Sequence, residues 1–191
     1  MHFDFIQIGA HTGEKISYKI FASSRSVLIE PVPYLFKKLT HNFSHCWGKT
    51  FFENVAISDK MGTAKIYSIK PDCVQGKHEW VTQLGSLNRN HIPSHFSGVD
   101  SDDIEAIEID TIRPVDLIEK YDITSISELS IDTEGHDDII IKSFPFNLVL
   151  PSKIIFEHKY MQDYYGICKI LREHGYIVKA IDEENSVANL T

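Results

Sequence analysis

"FIQIGAHTGEK", Phe5 to Lys15, runs a short apolar stretch straight into a turn bounded by Gly9 and Gly13, and its reading decides the fold. An apolar run of this length reads as a buried strand, and the residues after Gly13 can open a helix. Glycine lets the backbone turn sharply and pass a ligand with no Cβ in the way. A strand, turn and helix in that order bring backbone N–H groups to the carboxyl end of a parallel sheet, where nucleotide-like ligands bind. Taken alone, the same glycines equally suit a plain tight turn.

The second observation lies about twenty residues further on, at the spacing where an acidic residue meets a ribose. "SVLIEP", Ser26 to Pro31, places Glu30 at the end of the next strand, where its carboxylate can accept from both ribose hydroxyls. A solvated glutamate at a strand end is the plainer alternative. Turn and acid together point to an adenosine-type cofactor. "GAHTGEK" has neither the G-x-G-x-x-G of a dinucleotide site nor the G-x-x-x-x-G-K-[ST] of a phosphate loop. S-adenosylmethionine, with ribose and adenine but no phosphate, suits such a turn; an NAD-linked oxidoreductase is the rival.

Outward from this pair, "FDFIQI", "SVLIE", "SISELSID", "KIIFEH" and "YIVKAI" alternate with helix-patterned segments. That order predicts an α/β domain with a mainly parallel sheet. Helices are expected over Gly13 to Ala22, over the Leu35, Phe36, Leu39 and Phe43 periodicity, after Pro114, over Ile139 to Phe144, and over Tyr164 to Leu171. Lys60-Met61-Gly62 reads as a turn between two extended segments, a β-hairpin insertion or a strand extension. From Lys70 to Asp103 the pattern weakens around Gly76, Gly85 and Gly98, and so long an irregular stretch is usually functional.

The 191 residues, 42% of them hydrophobic, suit one domain with one core. A net charge of -8 argues against nucleic acid as partner. Cys46, Cys73 and Cys168 show neither metal-ligand spacing nor a disulfide framework, so a reducing, cytoplasmic setting is expected. No signal peptide and no membrane span are expected either.

"FIQIGAHTGE", "VLIEPVPYLFKKL", "NVAISDKMGTAKIY", "GSLNRNH", "IEIDTIRPVDLIEKY", "LSIDTEGHDDIIIKS" and "IIFEH" resemble, in that order, the motifs of the FkbM-type S-adenosylmethionine-dependent methyltransferases. The resemblance implies a Rossmann-like class I methyltransferase fold: a seven-stranded, mostly parallel sheet with helices on both faces and an antiparallel strand near the C-terminus. "YIVKAIDEENSVANLT" would supply the last two strands as a hairpin turning near Glu183 to Asn185. The implied activity is methyl transfer to a hydroxyl of a sugar, glycan or other small molecule. The resemblance sets Gly9, Ala10 and Gly13, with Gln7 and His11, around the methionine portion and Glu30 on the ribose, with Asn54, Val55 and Asp59 beside the adenine.

Two positions depart from the family pattern. Gln7 stands where an aspartate is usual, and Ser130 where a lysine is usual. The chain starts at its first strand, so the site is expected to be more open or to be covered by a neighbouring subunit, a homo-oligomer.

Within "SIDTEGHDD", Asp132 and Glu134 are the first choices for the group that takes the hydroxyl proton, with Glu157 and His158 as a second pair. Asp132 also borders the cofactor. Asp137 and Asp138 suit the N-terminus of the following helix. Glu134 with His136, or Glu157 with His158, could alternatively be metal ligands; no metal is expected. Ser86, Asn88, Arg89 and His91 are the candidates for holding a polar acceptor. A degenerate, non-catalytic binding domain is the alternative that the departures at Gln7 and Ser130 motivate.

Overall fold

The computed structural model describes residues 1–21, 23–46, 49–74, 79–95 and 98–191. Ala22 and Gly76, named above, lie outside the described residues. The first strand, β1 (His2–Ile8), is followed by a 3₁₀ helix over Glu14–Lys19 and then by β2 (Ser26–Ile29), α1 (Pro33–Asn42) and β3 (Thr50–Glu53). β4 (Ala56–Ile57), β5 (Gly62–Ile69), the short α2 (His91–His95) and β6 (Ile104–Ile112) come next. α3 (Pro114–Lys120), β7 (Ser125–Ile131), α4 (Asp137–Ser143), β8 (Lys153–Glu157), α5 (Tyr164–Glu173), β9 (Tyr176–Ala180) and β10 (Asn185–Leu190) complete the chain.

Seven strands form one sheet in the order β3-β2-β1-β7-β8-β10-β9. β1 pairs in parallel with β2 on one side and with β7 on the other, so the strand order reverses there. That reversal opens the crevice in which sheets of this kind bind ligands. β10 runs antiparallel to both β8 and β9, as expected for the C-terminal hairpin.

β2, SVLI, is buried along its whole length because both its faces are covered. Val27 and Ile29 join the larger core with Leu117, Ile140 and Leu171. Leu28, between them, points the other way into a cluster with Ile16, Leu39 and Phe43. The alternation of a strand therefore selects which layer of helices each residue meets.

Two expectations need correction. The segment after Gly13 is a six-residue 3₁₀ helix, not a full α-helix. The segments either side of Lys60-Met61-Gly62 do not form a hairpin, because β6 enters between them. β4 pairs with β6 in parallel and β5 pairs with β6 antiparallel, giving a separate sheet in the order β4-β6-β5. The stretch from 70 to 103, aperiodic in sequence, is packed in its described parts: Val81, Leu84 and Ile92 form a small core with Ile69 of β5. A bridge between Tyr67 and Ser86, bonded N–H to carbonyl in both directions at 2.8 and 3.0 Å, pins it to the small sheet.

Candidate cofactor and acceptor site

The turn after β1 is built by its own backbone. Gly9 and Gly13 sit at φ +81° and +80°, and His11, between them, at +50°. A Cβ on Gly9 would lie 1.8 Å from the carbonyl oxygen of Asp132, and one on Gly13 2.1 Å from the Phe43 ring. The glycines thus allow the chain to close on itself as much as on any ligand. The N–H groups of Gly9 and Ala10 both donate to the Ile29 carbonyl, at 3.0 and 2.9 Å, and that of Gly13 donates to Ala10. The His11 N–H donates to Glu30 Oε2 at 2.8 Å. These donors are spent within the fold and do not form a cradle for a phosphate.

Glu30 is the centre of the arrangement. Its carboxylate is buried, accepting from the Val32 N–H through Oε1 at 2.8 Å and from His11 through Oε2. Each oxygen keeps room for one further donor. Burial pushes its pKa up to about 7, against the pull of the two backbone donors and with the charge of Asp132 adding to the rise. Glu30 lines a cavity of about 1000 Å³, its open mouth included, over the ends of β1, β2 and β7. Gly9, Ala10, His11 and Gly13 form its floor, and Val55, Ile57, Ile66 and Leu87 an apolar wall. Asp132, Thr133 and Glu134 border it from the end of β7. Burial, with Glu134's charge behind it, raises Asp132 to about 6.

Several expected residues do not line this cavity. Gln7 is buried, with Nε2 turned back to the carbonyls of Ile8 and Gly9 at 3.3 and 3.1 Å and Oε1 without a partner. Asn54 spends its amide on the carbonyls of Glu30 and Pro31, at 2.8 and 3.0 Å, and so braces the strand end that carries Glu30. Asp59 accepts from Ser58 at 3.2 Å, outside the lining. His158 meets Ser186 through Nδ1 at 3.0 Å, and Ser186 in turn meets Tyr164. Glu157 is buried with Oε2 unpartnered, and its pKa is raised to about 9 by burial first and then by the charges of Glu134, Asp137 and Asp132.

A second cavity adjoins the first across Glu134. Asn88 and His91 line it; Ser86 and Arg89 do not. The Ser86 hydroxyl donates to the Glu134 carbonyl at 2.8 Å, which fixes the loop after β7 rather than a ligand. The buried His91 reaches Glu134 Oε2 through Nε2 at 2.7 Å. Of the residues considered for a metal, Glu134 meets His91 and His136 meets Ser58 at 3.1 Å. Among the described residues, no group of three or more histidine, cysteine, aspartate or glutamate side chains is placed to hold a metal ion.

Sequence reasoning passed over Lys15 and Thr82, which line the first cavity, and Tyr160, which lines the second; His136, weighed there only as a metal ligand, lines the first cavity too. Thr82 is bonded to His11 Nε2 at 2.8 Å, a contact across 71 positions that no local pattern announces.

The sheet order, the reversed C-terminal strand and the crevice over β1, β2 and β7 define a Rossmann-like fold of the class I methyltransferase type. Residues 7–178 match the family described as the methyltransferase FkbM domain, and the chain belongs to that family. Its chemistry is methyl transfer from S-adenosylmethionine. Solved structures with a similar course include precorrin-6y C5,15-methyltransferase from Geobacter metallireducens GS-15, at 10% identity and TM-score 0.49, covering 99% of this chain and 80% of that one. Fibrillarin from Aeropyrum pernix, with S-adenosyl-L-methionine natively bound, matches at 9% identity and TM-score 0.46, over 97% of this chain and 65% of that one. Magnesium protoporphyrin IX methyltransferase from Synechocystis PCC 6803, with the same molecule bound, matches at 7% and 0.46, over 100% and 71%. No curated protein matches the sequence. Among the described residues, no helix is long and apolar enough to cross a membrane.

Proposed function

We propose that this protein is an O-methyltransferase that uses S-adenosylmethionine and acts on a hydroxyl of a sugar, glycan or other polar small molecule. The observation that carries the reading is Glu30, a buried carboxylate at the end of β2 with acceptor capacity left on both oxygens, facing a cavity whose turn has spent the N–H donors of Gly9, Ala10, His11 and Gly13. That combination suits a ribose and offers little to a pyrophosphate, which separates it from an NAD-linked enzyme.

The residues fit the cofactor part by part. Glu30 would hold the ribose hydroxyls, and the wall of Val55, Ile57, Ile66 and Leu87 would flank the adenine. Asp132 would face the ammonium group, supplying a negative charge that Gln7 lacks, and Lys15 would face the carboxylate. When bound, the sulfonium supplies an activated methyl group. The chain's own residues then align the acceptor oxygen with it, and alignment carries much of the rate of such a displacement.

Calorimetric titration with S-adenosylhomocysteine tests the reading. Micromolar binding is expected, weakened at least about tenfold by Glu30→Ala, the loss of one well-made charged hydrogen-bond set. Absence of binding to the unaltered protein at millimolar ligand would overturn it. The inward-turned Gln7 favours one other reading, a domain that binds cofactor without turnover. Methyl transfer to any hydroxyl acceptor would exclude that alternative.

A further inference from the structure

Resting on the reading above, we infer that the second cavity is the acceptor site for a neutral, hydroxyl-rich molecule, and that His91, oriented by Glu134, takes the proton of the hydroxyl that is methylated.

The cavity's lining carries its chemistry. Asn88, Asn90, Ser94, Tyr160 and Gln162 present amides and hydroxyls that both donate and accept. No lysine or arginine stands among the described lining residues, and Asp138 is there, so an anionic acceptor is disfavoured. The side-chain amides of Asn90 and Gln162 bond to no other described residue, leaving them for a ligand. Polyols and sugars match a surface of neutral amides and hydroxyls.

The geometry also selects a base. A carboxylate only accepts, so the 2.7 Å contact to Glu134 Oε2 places the proton of neutral His91 on Nε2. Nδ1 then carries the lone pair, and among the described residues it has no hydrogen-bond partner. Gly135, at φ +95°, keeps the approach open: a Cβ there would stand 3.7 Å from Nδ1.

His91 is held on its other sides as well. The His95 ring stacks on it at 4.2 Å, and the Tyr160 ring meets it edge-on at 5.0 Å. Tyr160 is tied to His95 Nδ1 at 2.9 Å. Two stacked imidazoles resist double charging, and burial, then the charge of His91, lowers His95. The groups facing the pair are Glu134 from the loop after β7, Asp138 from α4, Tyr160 after β8, and His95, with Lys159 and Glu184 acting on His95.

In the step itself an acceptor oxygen lone pair forms the O–C bond to the methyl carbon. The C–S bond breaks with its electron pair remaining on sulfur, and the hydroxyl proton passes to His91 Nδ1. The products are a methyl ether, S-adenosylhomocysteine and an imidazolium ion paired with Glu134, which returns its proton to solvent. Glu134 borders both cavities, so the base, bonded to it from the second, stands one residue from the first. Glu134 is a positioning residue here.

The test uses full-length protein labelled with ¹⁵N at histidine, its imidazole resonances followed by NMR against pH, with His91→Gln to assign the signal. The neutral form should carry its proton on Nε2. Glu134→Gln, which still accepts from Nε2–H, should weaken proton uptake by His91 about tenfold, because the stabilising negative charge is gone. A proton on Nδ1, or a titration that Glu134→Gln leaves unmoved, would overturn the assignment of the base.

Calorimetry on the same samples keeps the two readings apart. S-adenosylhomocysteine should bind His91→Gln as it binds the unaltered protein. No binding to either would count against the cofactor reading, whereas binding with the wrong tautomer would remove only His91. With S-adenosylhomocysteine present, a series of methyl glycosides should shift the signals of His91 and the amides of Asn90 and Gln162. Shifts confined elsewhere, or none across the series, would remove the cavity as a polyol site. For any glycoside that is methylated, His91→Gln should lower kcat by about 10²–10⁴-fold and abolish the acid limb of the pH profile, with the KM for S-adenosylmethionine unchanged.

Discussion

The carbonyl oxygen of Asp132 stands where the Cβ of any residue but glycine would be at position 9. That one contact joins the turn after β1 to the loop after β7 and sets the depth of the cavity between them. Gly9→Ala combines a positive φ with a backbone clash, so it should destabilise the protein by about 3 kcal/mol or more in urea unfolding. A smaller loss would mean that the loop after β7 gives way at little cost. Other residues show how far a sequence position can be read. Glu30 and Asp132 follow strands, and strand ends face the crevice, so their place was legible from the order of elements alone. Gln7 and Asn54 sit at equally suggestive positions, yet their amides bond to backbone carbonyls. A side chain's choice between ligand and neighbouring backbone depends on distances of about 3 Å that no pattern of residue types encodes.

At the scale of elements, α4 is seated by a single buried side chain. Asp137 accepts from the Thr133 N–H at 3.1 Å and from its hydroxyl at 2.5 Å through Oδ2, and from the Glu157 N–H at 3.0 Å through Oδ1. It thereby joins the loop after β7, the start of α4 and the end of β8. Burial pushes its pKa up to about 7 even with these donors. Asp137→Ala should lower stability by about 3 kcal/mol, since three buried donors lose their partner. Asp137→Asn, which keeps one acceptor oxygen, should lose less; equal losses in denaturant unfolding would show that shape rather than hydrogen bonding matters at this seat. Five strands of the large sheet, β1, β2, β7, β8 and β9, were legible as strand-length runs, whereas the count of seven came with the family resemblance. The small sheet was not legible. β5 and β6 are separated by the stretch from 70 to 103, and β6 pairs with both β4 and β5, a register decided by distant packing around Ile66 and Ile109. His91 and Glu134 lie 43 residues apart for the same reason, and their contact follows from two folds of the chain.

For the molecule as a whole, the buried acids at and behind the crevice set a pH dependence whose sign differs from that of ordinary ion-paired carboxylates. Asp132 is raised to about 6, Glu30 and Asp137 to about 7, and Glu157 to about 9, with burial the largest cause in each. A carboxyl group raised in the folded state holds a proton that the unfolded chain has released, so its contribution falls as pH climbs from the unfolded value towards the folded one. His11 works the other way at lower pH. Burial, then the charges of Lys15 and Lys38, lowers it to about 4, so the unfolded chain binds the extra proton and stability rises with pH between about 4 and 6.5. Between about pH 4.5 and 6 the four acids outweigh His11, and above about 6.5 only the acids continue, Glu157 furthest. On account of these groups the ligand-free protein should therefore lose melting temperature steadily from about pH 5 up to about pH 9. Glu157 alone accounts for at most about 1.4 kcal/mol per pH unit in that range, or roughly 3 °C in melting temperature. Glu157→Gln keeps the shape and removes the titration, so calorimetric melting should show it more stable than the unaltered protein at pH 8, with the difference shrinking towards pH 5. A difference that stays constant with pH would place the unpartnered Oε2 in contact with a donor rather than in an apolar setting, and the charge on Glu157 would then be part of the site's resting state.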